Sequence, residues 1–173
     1  IGNFDKLRFN NLISRIKKDK YQFLVLSRTD SGKNFLNGDL NSIEKLENKI
    51  RNFQPDVAIH LAWEGIPNFS AENCAKNLIY GINLFRVLAR VGCKSVLTTG
   101  SCVEYGKTIG KLRENQNPLP SSTFATTKNS LRLIGEQIAK ENNMKFIWTR
   151  LFYVYGPEQR EGSLIPHIFS NFL

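Results

Sequence analysis

The sequence predicts an α/β protein with a doubly wound parallel sheet, and three observations support that prediction. Four short apolar runs rich in strand-forming residues lie at 21–27, 56–62, 95–99 and 146–151. Stretches with apolar residues at helical spacing separate these runs. The runs are apolar on successive residues, as is typical of parallel strands covered on both faces. Such an alternation indicates a right-handed sheet with helices on both faces.

The helices follow from apolar residues three or four positions apart, which places those residues on one face. In chain order these sets lie at 7–16, 43–50, 84–88 and 131–138. A Pro- and Ser-containing loop at 115–122 precedes the last of them, and a further helix begins near residue 163.

Composition limits the class of protein. The chain has 173 residues, of which 41% are hydrophobic, so we expect one globular unit. The net charge of +9 comes from Lys and Arg scattered along the chain. Such a charge favours anionic partners, among them nucleic acid, membrane surfaces and phosphorylated small molecules. The scatter indicates a compositional bias instead, and the absence of a basic patch interleaved with aromatic residues in the sequence argues against nucleic acid. No apolar run is long enough to span a membrane. Three cysteines without a C-x-x-C pair predict neither a disulfide framework nor a metal site, and they suit a reducing cytoplasm.

The alternation begins with a helix, so the strand that should precede it is missing from the pattern. In a doubly wound sheet of order 3-2-1-4-5-6 the first strand is central. Its absence would leave two strand edges unpaired. We therefore expect the chain to be a fragment that lacks its first strand and most of its C-terminal part.

Two positions suit a dinucleotide. Gly2 stands where the last glycine of a phosphate-binding turn would lie, although a small residue for close packing explains it equally well. Arg28 follows the strand at 21–27, where an acidic residue would bind the ribose of NAD and arginine suits the 2′-phosphate of NADP. Arg28 thus favours NADP over NAD, the alternative being an exposed arginine at a strand end.

Five motifs in order resemble the extended short-chain dehydrogenase/reductase family, the NAD-dependent epimerase/dehydratases. The resemblance covers nearly the whole chain and implies a Rossmann fold, NADP or NAD as cofactor, a nucleotide-sugar substrate and a homodimer of the full-length protein. It also implies an NAD(P)-binding domain over 1–154, incomplete at its N-terminus, and the start of a truncated substrate-binding region over 155–173. The motifs are Gly38-Asp39-Leu40, DVAIHLA at 56–62, Asn77 with Asn83-Leu84, TGSCVEYG at 99–106 and RLFYVYGP at 150–157.

The resemblance assigns cofactor contacts to the residues that match these motifs. Asp39 and Leu40 would flank the adenine, and Leu61 and Ala62 would line the cofactor path. Asn77 would lie in the helix beside it, and the backbone of Phe152 would meet the nicotinamide amide. Thr99 and Lys128 complete the cofactor-binding set.

The resemblance also assigns the catalytic positions. Ser101, four residues before Tyr105, matches the Ser or Thr that hydrogen-bonds the reacting sugar oxygen. Lys128 matches the lysine of Y-x-x-x-K, which holds the nicotinamide ribose and lowers the pKa of the tyrosine. Phe124 occupies the tyrosine position, and a phenyl ring has no proton to transfer.

Three explanations for Phe124 stay open. Another group, such as Thr127, Tyr105 or a water molecule, transfers the proton; or the protein is a catalytically lapsed dinucleotide-binding protein; or the codon is in error. The question matters because a positioned proton donor contributes on the order of 10² to 10⁴ in rate.

The motif after Ser101 narrows the reaction. The 4,6-dehydratases of the family carry an Asp-Glu pair where this chain has Cys102-Val103, so we expect a 4-epimerase or a 4-ketoreductase. Glu104, one residue later, is interpreted as a solvated loop carboxylate. Trp63, in the turn after the strand at 56–62, and Tyr153, where many members have Asn, would contact the sugar.

Three other reactive side chains receive simpler interpretations. His60 ends a buried strand and is interpreted as structural. His167 lies in the last helix, where it could contact the nucleotide. Cys102 has no basic neighbour in sequence and is interpreted as a core or loop thiol.

Overall fold

The computed structural model describes residues 20–154 and 164–172, and within them it contains five parallel-paired strands. Strands β1 (Val25–Ser27) and β2 (Phe35–Asn37) form one pair, with Val25 opposite Phe35. Strands β3 (Val57–His60), β4 (Ser95–Ser101) and β5 (Lys145–Leu151) form a second sheet in that order, with His60 opposite Thr98 and Ser101 opposite Leu151. The α/β class and the parallel sheet are therefore confirmed.

Four α-helices accompany the strands in the described part of the chain, and side-chain caps explain where two of them begin. The Ser70 hydroxyl accepts from Asn73 N at 3.3 Å and the Ser122 hydroxyl from Ala125 N at 3.2 Å, which satisfies N–H groups that an α-helix leaves free. The helices are α1 (Glu47–Phe53), α2 (Ala71–Arg90), α3 (Thr123–Glu141) and α4 (Leu164–Phe172), with 3-10 helices over Leu40–Leu46 and Cys102–Tyr105.

The core lies where α2 and α3 pack on the three-stranded sheet. Phe85, Val96 and Leu131 are completely or almost completely buried there. Gly81 allows the close approach of the helices, because a Cβ at this position would meet the Leu131 side chain at 2.7 Å. A second cluster joins β2 and α1 to α2 through Leu36, Ile50 and Val87.

Three sequence expectations about elements need correction. The run at 21–27 forms a strand only over its last part, Val25–Ser27, and a strand at Phe35–Asn37 was not predicted. The helix expected at 43–50 is divided between the 3-10 helix and α1. The helix expected at 7–16 lies outside the described residues, as does Gly2.

A cleft of about 350 Å³ separates the two sheets. Apolar side chains from β1, β3 and the helices line it, including Leu26, Ile43 and Leu84. Among the described strands, β1 pairs with β2 and β3 pairs with β4, so the facing edges of β1 and β3 have no strand between them. The cleft thus lies at the central position for which the sequence pattern supplied no strand.

Within residues 20–154 and 164–172, no helix combines the length and the apolar character that crossing a lipid bilayer requires.

Candidate functional site

Ser101 is the last residue of β4 and lies at the carboxyl ends of the parallel strands. Its hydroxyl oxygen accepts from Val103 N at 3.5 Å, while its own backbone N–H donates to the Glu104 carboxylate at 2.7 Å. The hydroxyl hydrogen takes part in neither contact. A half-buried Ser101 can therefore donate a hydrogen bond to a ligand at this edge of the sheet.

Lys128 lies on α3 with its ammonium group beside the same strand. Only 5% of the residue is exposed, and Nζ donates to the carbonyl oxygen of Thr99 at 2.8 Å. The ammonium also lies 4.3 Å from the centre of the Trp63 ring, a distance at which a cation is attracted to the ring face. Burial lowers the pKa of Lys128 to about 8, against a smaller upward effect of Glu104. Lys128 is thus a cation that gives up its proton unusually easily.

Phe124 packs in an aromatic cluster next to Lys128. Its ring meets Trp63 edge to face, with ring centres 5.0 Å apart, and lies 4.6 Å from the Phe69 ring centre. The Lys128 Nζ is 5.9 Å from the centre of the Phe124 ring. The position that the resemblance assigns to a proton donor therefore carries a hydrocarbon ring beside a buried cation.

The two hydroxyls named as substitutes for that donor both have partners. Thr127 is buried and its hydroxyl donates to the Thr123 carbonyl oxygen at 2.7 Å, within α3. The Tyr105 hydroxyl accepts from Arg150 Nη1 at 3.2 Å, in a buried position. Either group would have to leave or share these contacts before it could serve a substrate.

The turn after β3 is held by Asn77 from α2. The Asn77 side chain accepts from Glu64 N at 2.7 Å and donates to Glu64 O at 3.1 Å and Asn73 O at 2.8 Å. Trp63, which precedes Glu64, is 5% exposed, and its Nε1 has no hydrogen-bond partner within the described part of the chain. Asn77 therefore fixes the loop that carries Trp63, a role that sequence reasoning did not assign to it.

Arg28 follows β1 and faces two carboxylates. Its Nη1 lies 3.6 Å from Asp39 and 3.4 Å from Glu64, and 43% of its side chain is exposed. Asp39 also caps the following 3-10 helix by accepting from Asn41 N. Leu40, the neighbour of Asp39, is buried in the second core cluster.

The other predicted cofactor and sugar contacts lie around the same edge of the sheets. Leu61 and Ala62 are half-buried and line the cleft between β1 and β3. Phe152 and Tyr153 follow β5 and are 52% and 88% exposed. The structure therefore brings Ser101, Lys128 and Phe124 to one end of the sheet, with Phe152 and Tyr153 at the end of the neighbouring strand.

Glu104 is completely buried, so its interpretation from the sequence as a solvated loop carboxylate is wrong. Its carboxylate accepts from Ser101 N at 2.7 Å, from Trp148 Nε1 at 3.1 Å and from Arg150 Nε at 3.1 Å. Gly100 makes room for this arrangement, since a Cβ there would collide with Trp148 and Glu104. The Ser-x-x-Glu spacing of a capping box was the sequence signal for this contact.

The remaining reactive side chains, His60, His167 and Cys102, form none of the hydrogen bonds described above. His60 is buried, and burial together with the positive charge of Lys128 lowers its pKa to about 3, so it is neutral at physiological pH. His167 is exposed on α4 and contacts Asn171. Cys102 is a half-buried free thiol. Within the described residues, no group of three or more His, Cys, Asp or Glu side chains could hold a metal ion.

Comparison with known proteins finds some that are similar to this chain in sequence and others that are similar in fold. The chain is 30% identical to the dTDP-4-dehydro-6-deoxyglucose reductase of Escherichia coli over 138 residues, which is 75% of this chain and 43% of that protein. Its fold is similar to UDP-N-acetylglucosamine 4-epimerase from Bacillus cereus, with a TM-score of 0.79, 19% identity, and coverage of 92% of this chain and 55% of that one.

A second solved structure gives the same result. The UDP-glucose 4-epimerase of Thermus thermophilus, solved as a complex with NAD, matches with a TM-score of 0.75 and 21% identity, over 94% of this chain and 56% of that one. The chain thus spans about half the length of the relatives it matches. The family described as the NAD dependent epimerase/dehydratase family matches residues 10–173, nearly the whole chain, and the protein belongs to that family.

Proposed function

We propose that this chain is the dinucleotide-binding part of an enzyme that acts at C4 of a nucleotide-linked sugar, as a 4-ketoreductase or a 4-epimerase. The observation that carries the proposal is the placement of Ser101 and the buried Lys128 at one end of β4, with Lys128 bonded to Thr99 O. The names of the relatives, a sugar-nucleotide reductase and sugar-nucleotide 4-epimerases, support the same chemistry.

The residues at this end of the sheet fit a nicotinamide dinucleotide. An ammonium group carries three N–H donors, and within the described residues Lys128 donates one hydrogen bond. The remaining donors can bind ribose hydroxyls. Leu61 and Ala62, which directly follow β3 at the carboxyl end of the sheet, offer apolar surface to the rest of the cofactor.

We propose NAD in preference to NADP, although arginine at position 28 alone would suit NADP. Asp39 and Glu64 both lie within 4 Å of the Arg28 guanidinium, so two carboxylates already share its positive charge. A 2′-phosphate placed here would compete with both carboxylates for Arg28 and be repelled by them. Dissociation constants for NAD and NADP, measured on the same protein, decide the point: tighter binding of NADP would overturn it.

Each residue of the proposed site would have a separate role in the reaction. Hydride transfer is the chemistry that a bound nicotinamide would supply. The Ser101 hydroxyl donates a hydrogen bond to the sugar oxygen at C4 and polarises it, and Lys128 orients the ribose. Trp63 and Tyr153 would contact the sugar, with Trp63 held in place by the bonds between Asn77 and Glu64.

Phe124 makes the proton transfer the slow part of the proposed reaction. We expect Phe124→Tyr to raise kcat by about 10² or more, because it places a hydroxyl next to the Lys128 ammonium. The readout is the absorbance of reduced nicotinamide, measured with the full-length protein and a nucleotide-linked 4-keto sugar. Phe69→Tyr is the matched control, since it adds the same hydroxyl to a neighbouring ring of the cluster.

The second candidate is a catalytically lapsed dinucleotide-binding protein. The packing of Phe124 against Trp63 and Phe69 favours a lapsed protein, because these ring contacts need only the phenyl ring and no hydroxyl group. If the wild-type protein and Phe124→Tyr both bind the dinucleotide and neither transfers hydride to any nucleotide-linked 4-keto sugar, the lapsed protein replaces the enzyme.

We also propose that the full-length protein is a homodimer. Ile79 on α2 and Leu133 and Ile134 on α3 are large apolar side chains that the described chain leaves 55%, 48% and 38% exposed. Sedimentation equilibrium of the full-length protein tests this, and a monomer at micromolar concentration would contradict it.

The division of the chain and its compartment complete the proposal. Residues 1–154 would form the cofactor-binding domain, and 155–173 would begin the substrate-binding region. Three free thiols, at Cys74, Cys93 and Cys102, suit a reducing cytoplasm.

A further inference from the structure

We infer that Glu104 is a positioning residue for the reaction at Ser101, an inference that rests on the proposed function. Glu104 is completely buried and cannot contact a substrate itself, so it would act through another residue. Its buried carboxylate binds the backbone of Ser101 on one side and the side chains of Trp148 and Arg150 on the other. The carboxylate thereby ties the end of β4 to β5.

The contact with Ser101 is the shortest of these bonds and holds the backbone that carries the hydroxyl. Ser101 N donates to Glu104 Oε1 at 2.7 Å, and the Ser101 hydroxyl accepts from Val103 N in the same turn. Ser101 is extended, with φ −145° and ψ 148°, and the chain turns into the 3-10 helix immediately after it. The serine is consequently held at the point where the strand ends and the substrate edge begins.

The ion pair with Arg150 is not explained by stability alone. Glu104 is 0% exposed and the Arg150 side chain 13%, so both charges are withdrawn from water. A buried pair of this kind contributes little to stability when compared with well-packed apolar residues. Holding the Ser101 backbone gives the buried charge a function that an apolar side chain could not provide.

Glu104 also acts on the second residue of the site. Its negative charge raises the pKa of Lys128 against the effect of burial. Lys128 in turn binds the carbonyl of Thr99, two residues before Ser101. One buried carboxylate thus supports both the serine and the cation at the end of β4.

The test compares Glu104→Gln with Glu114→Gln, which makes the same chemical change at an exposed loop position. We expect Glu104→Gln to lower kcat by about 10², the loss typical of a misplaced catalytic group, while KM and the dissociation constant of the dinucleotide change less than about threefold. Glu114→Gln should match the wild type. A merely structural role would instead lower the fraction of active protein and leave kcat per folded molecule unchanged.

A second readout does not depend on activity. The Ser101 amide proton, bonded to a carboxylate, should resonate downfield and exchange slowly in the cofactor-free protein, and Glu104→Gln should reduce both effects. If the single variant Glu104→Gln fails to fold, the double variant Glu104→Gln, Arg150→Met is used in its place in both experiments, because it removes both buried charges together. Met144→Ala, a buried change before the other end of β5, provides a destabilised control.

The outcomes separate this inference from the proposed function. An unchanged Ser101 amide signal, or a kcat per folded molecule equal to the wild type, overturns the positioning role. Wild-type protein that shows the Ser101 amide effect but no turnover overturns the proposed function, and the role of Glu104 is then confined to fixing the end of β4.

Discussion

Replacing Lys128 with methionine removes a buried charge, and we expect it to change how stability depends on pH. Burial holds the pKa of the Lys128 ammonium at about 8, below the ordinary 10.5. The folded protein therefore binds this proton less strongly than the unfolded chain does. Because the unfolded state holds more protons between these two values, the contribution of Lys128 to the free energy of unfolding rises as the pH rises through that window.

The magnitude follows from the size of the shift. One pKa unit corresponds to about 1.4 kcal/mol, so burying the charged Lys128 costs about 3 kcal/mol near neutral pH. About 2 kcal/mol of that cost is relieved between about pH 7 and pH 9.5. The difference in the free energy of unfolding, wild type minus Lys128→Met, should rise by this amount over the same range.

Urea unfolding of the cofactor-free protein, followed by tryptophan fluorescence, measures the difference. Lys140→Met is the matched control, because Lys140 lies exposed near the end of α3. The control should parallel the wild type at every pH. If the difference in the free energy of unfolding between wild type and Lys128→Met also stayed constant with pH, Lys128 would have an ordinary pKa in the folded protein. The account of its burial would then be refuted.

Two further predictions concern His60 and Asn77. Burial and the charge of Lys128 lower the pKa of His60 from 6.5 to about 3, so the free energy of unfolding falls as the pH drops from 6.5 toward 3. At about pH 5 this loss amounts to about 2 kcal/mol. His60→Asn should remove this part of the decrease in the free energy of unfolding at acid pH, as measured by urea unfolding at a series of pH values. The same decrease in wild type and variant would contradict a buried neutral histidine. Asn77→Ala deletes the bonds to Glu64 and should lower the free energy of unfolding by about 2 to 3 kcal/mol. It should also speed proteolysis in the turn after β3, and resistance equal to the wild type would contradict the role of Asn77.

Hydrophobic pattern predicted the longer elements and the approximate position of β3. Strands β4 and β5 and helices α2 and α3 contain the stretches that the apolar spacing indicated, and β3 lies within the run at 56–62. The missed strand Phe35–Asn37 has three residues, too few for a period to be visible, and it forms because it pairs with β1. Local sequence carries little information about an element whose stability comes from such a partner.

The candidate site was predictable at Ser101, Lys128 and Phe124, because family motifs mark those positions. The burial of Glu104 was not, since its partners Trp148 and Arg150 belong to a strand that lies far along the chain. Asn77 was named as a cofactor neighbour, and its bonds to the turn after β3 depend on how α2 packs, which spacing alone does not reveal.

Gly100 places an evolutionary restriction on this end of the sheet. A methyl group at that position would overlap both the indole of Trp148 and the carboxylate of Glu104. Replacing Gly100 therefore requires smaller side chains at both of the other positions, and a substitution at Gly100 alone would give an overpacked protein. Homologues that keep the Trp and the Glu should keep the glycine, so the three positions should vary together as one inherited unit.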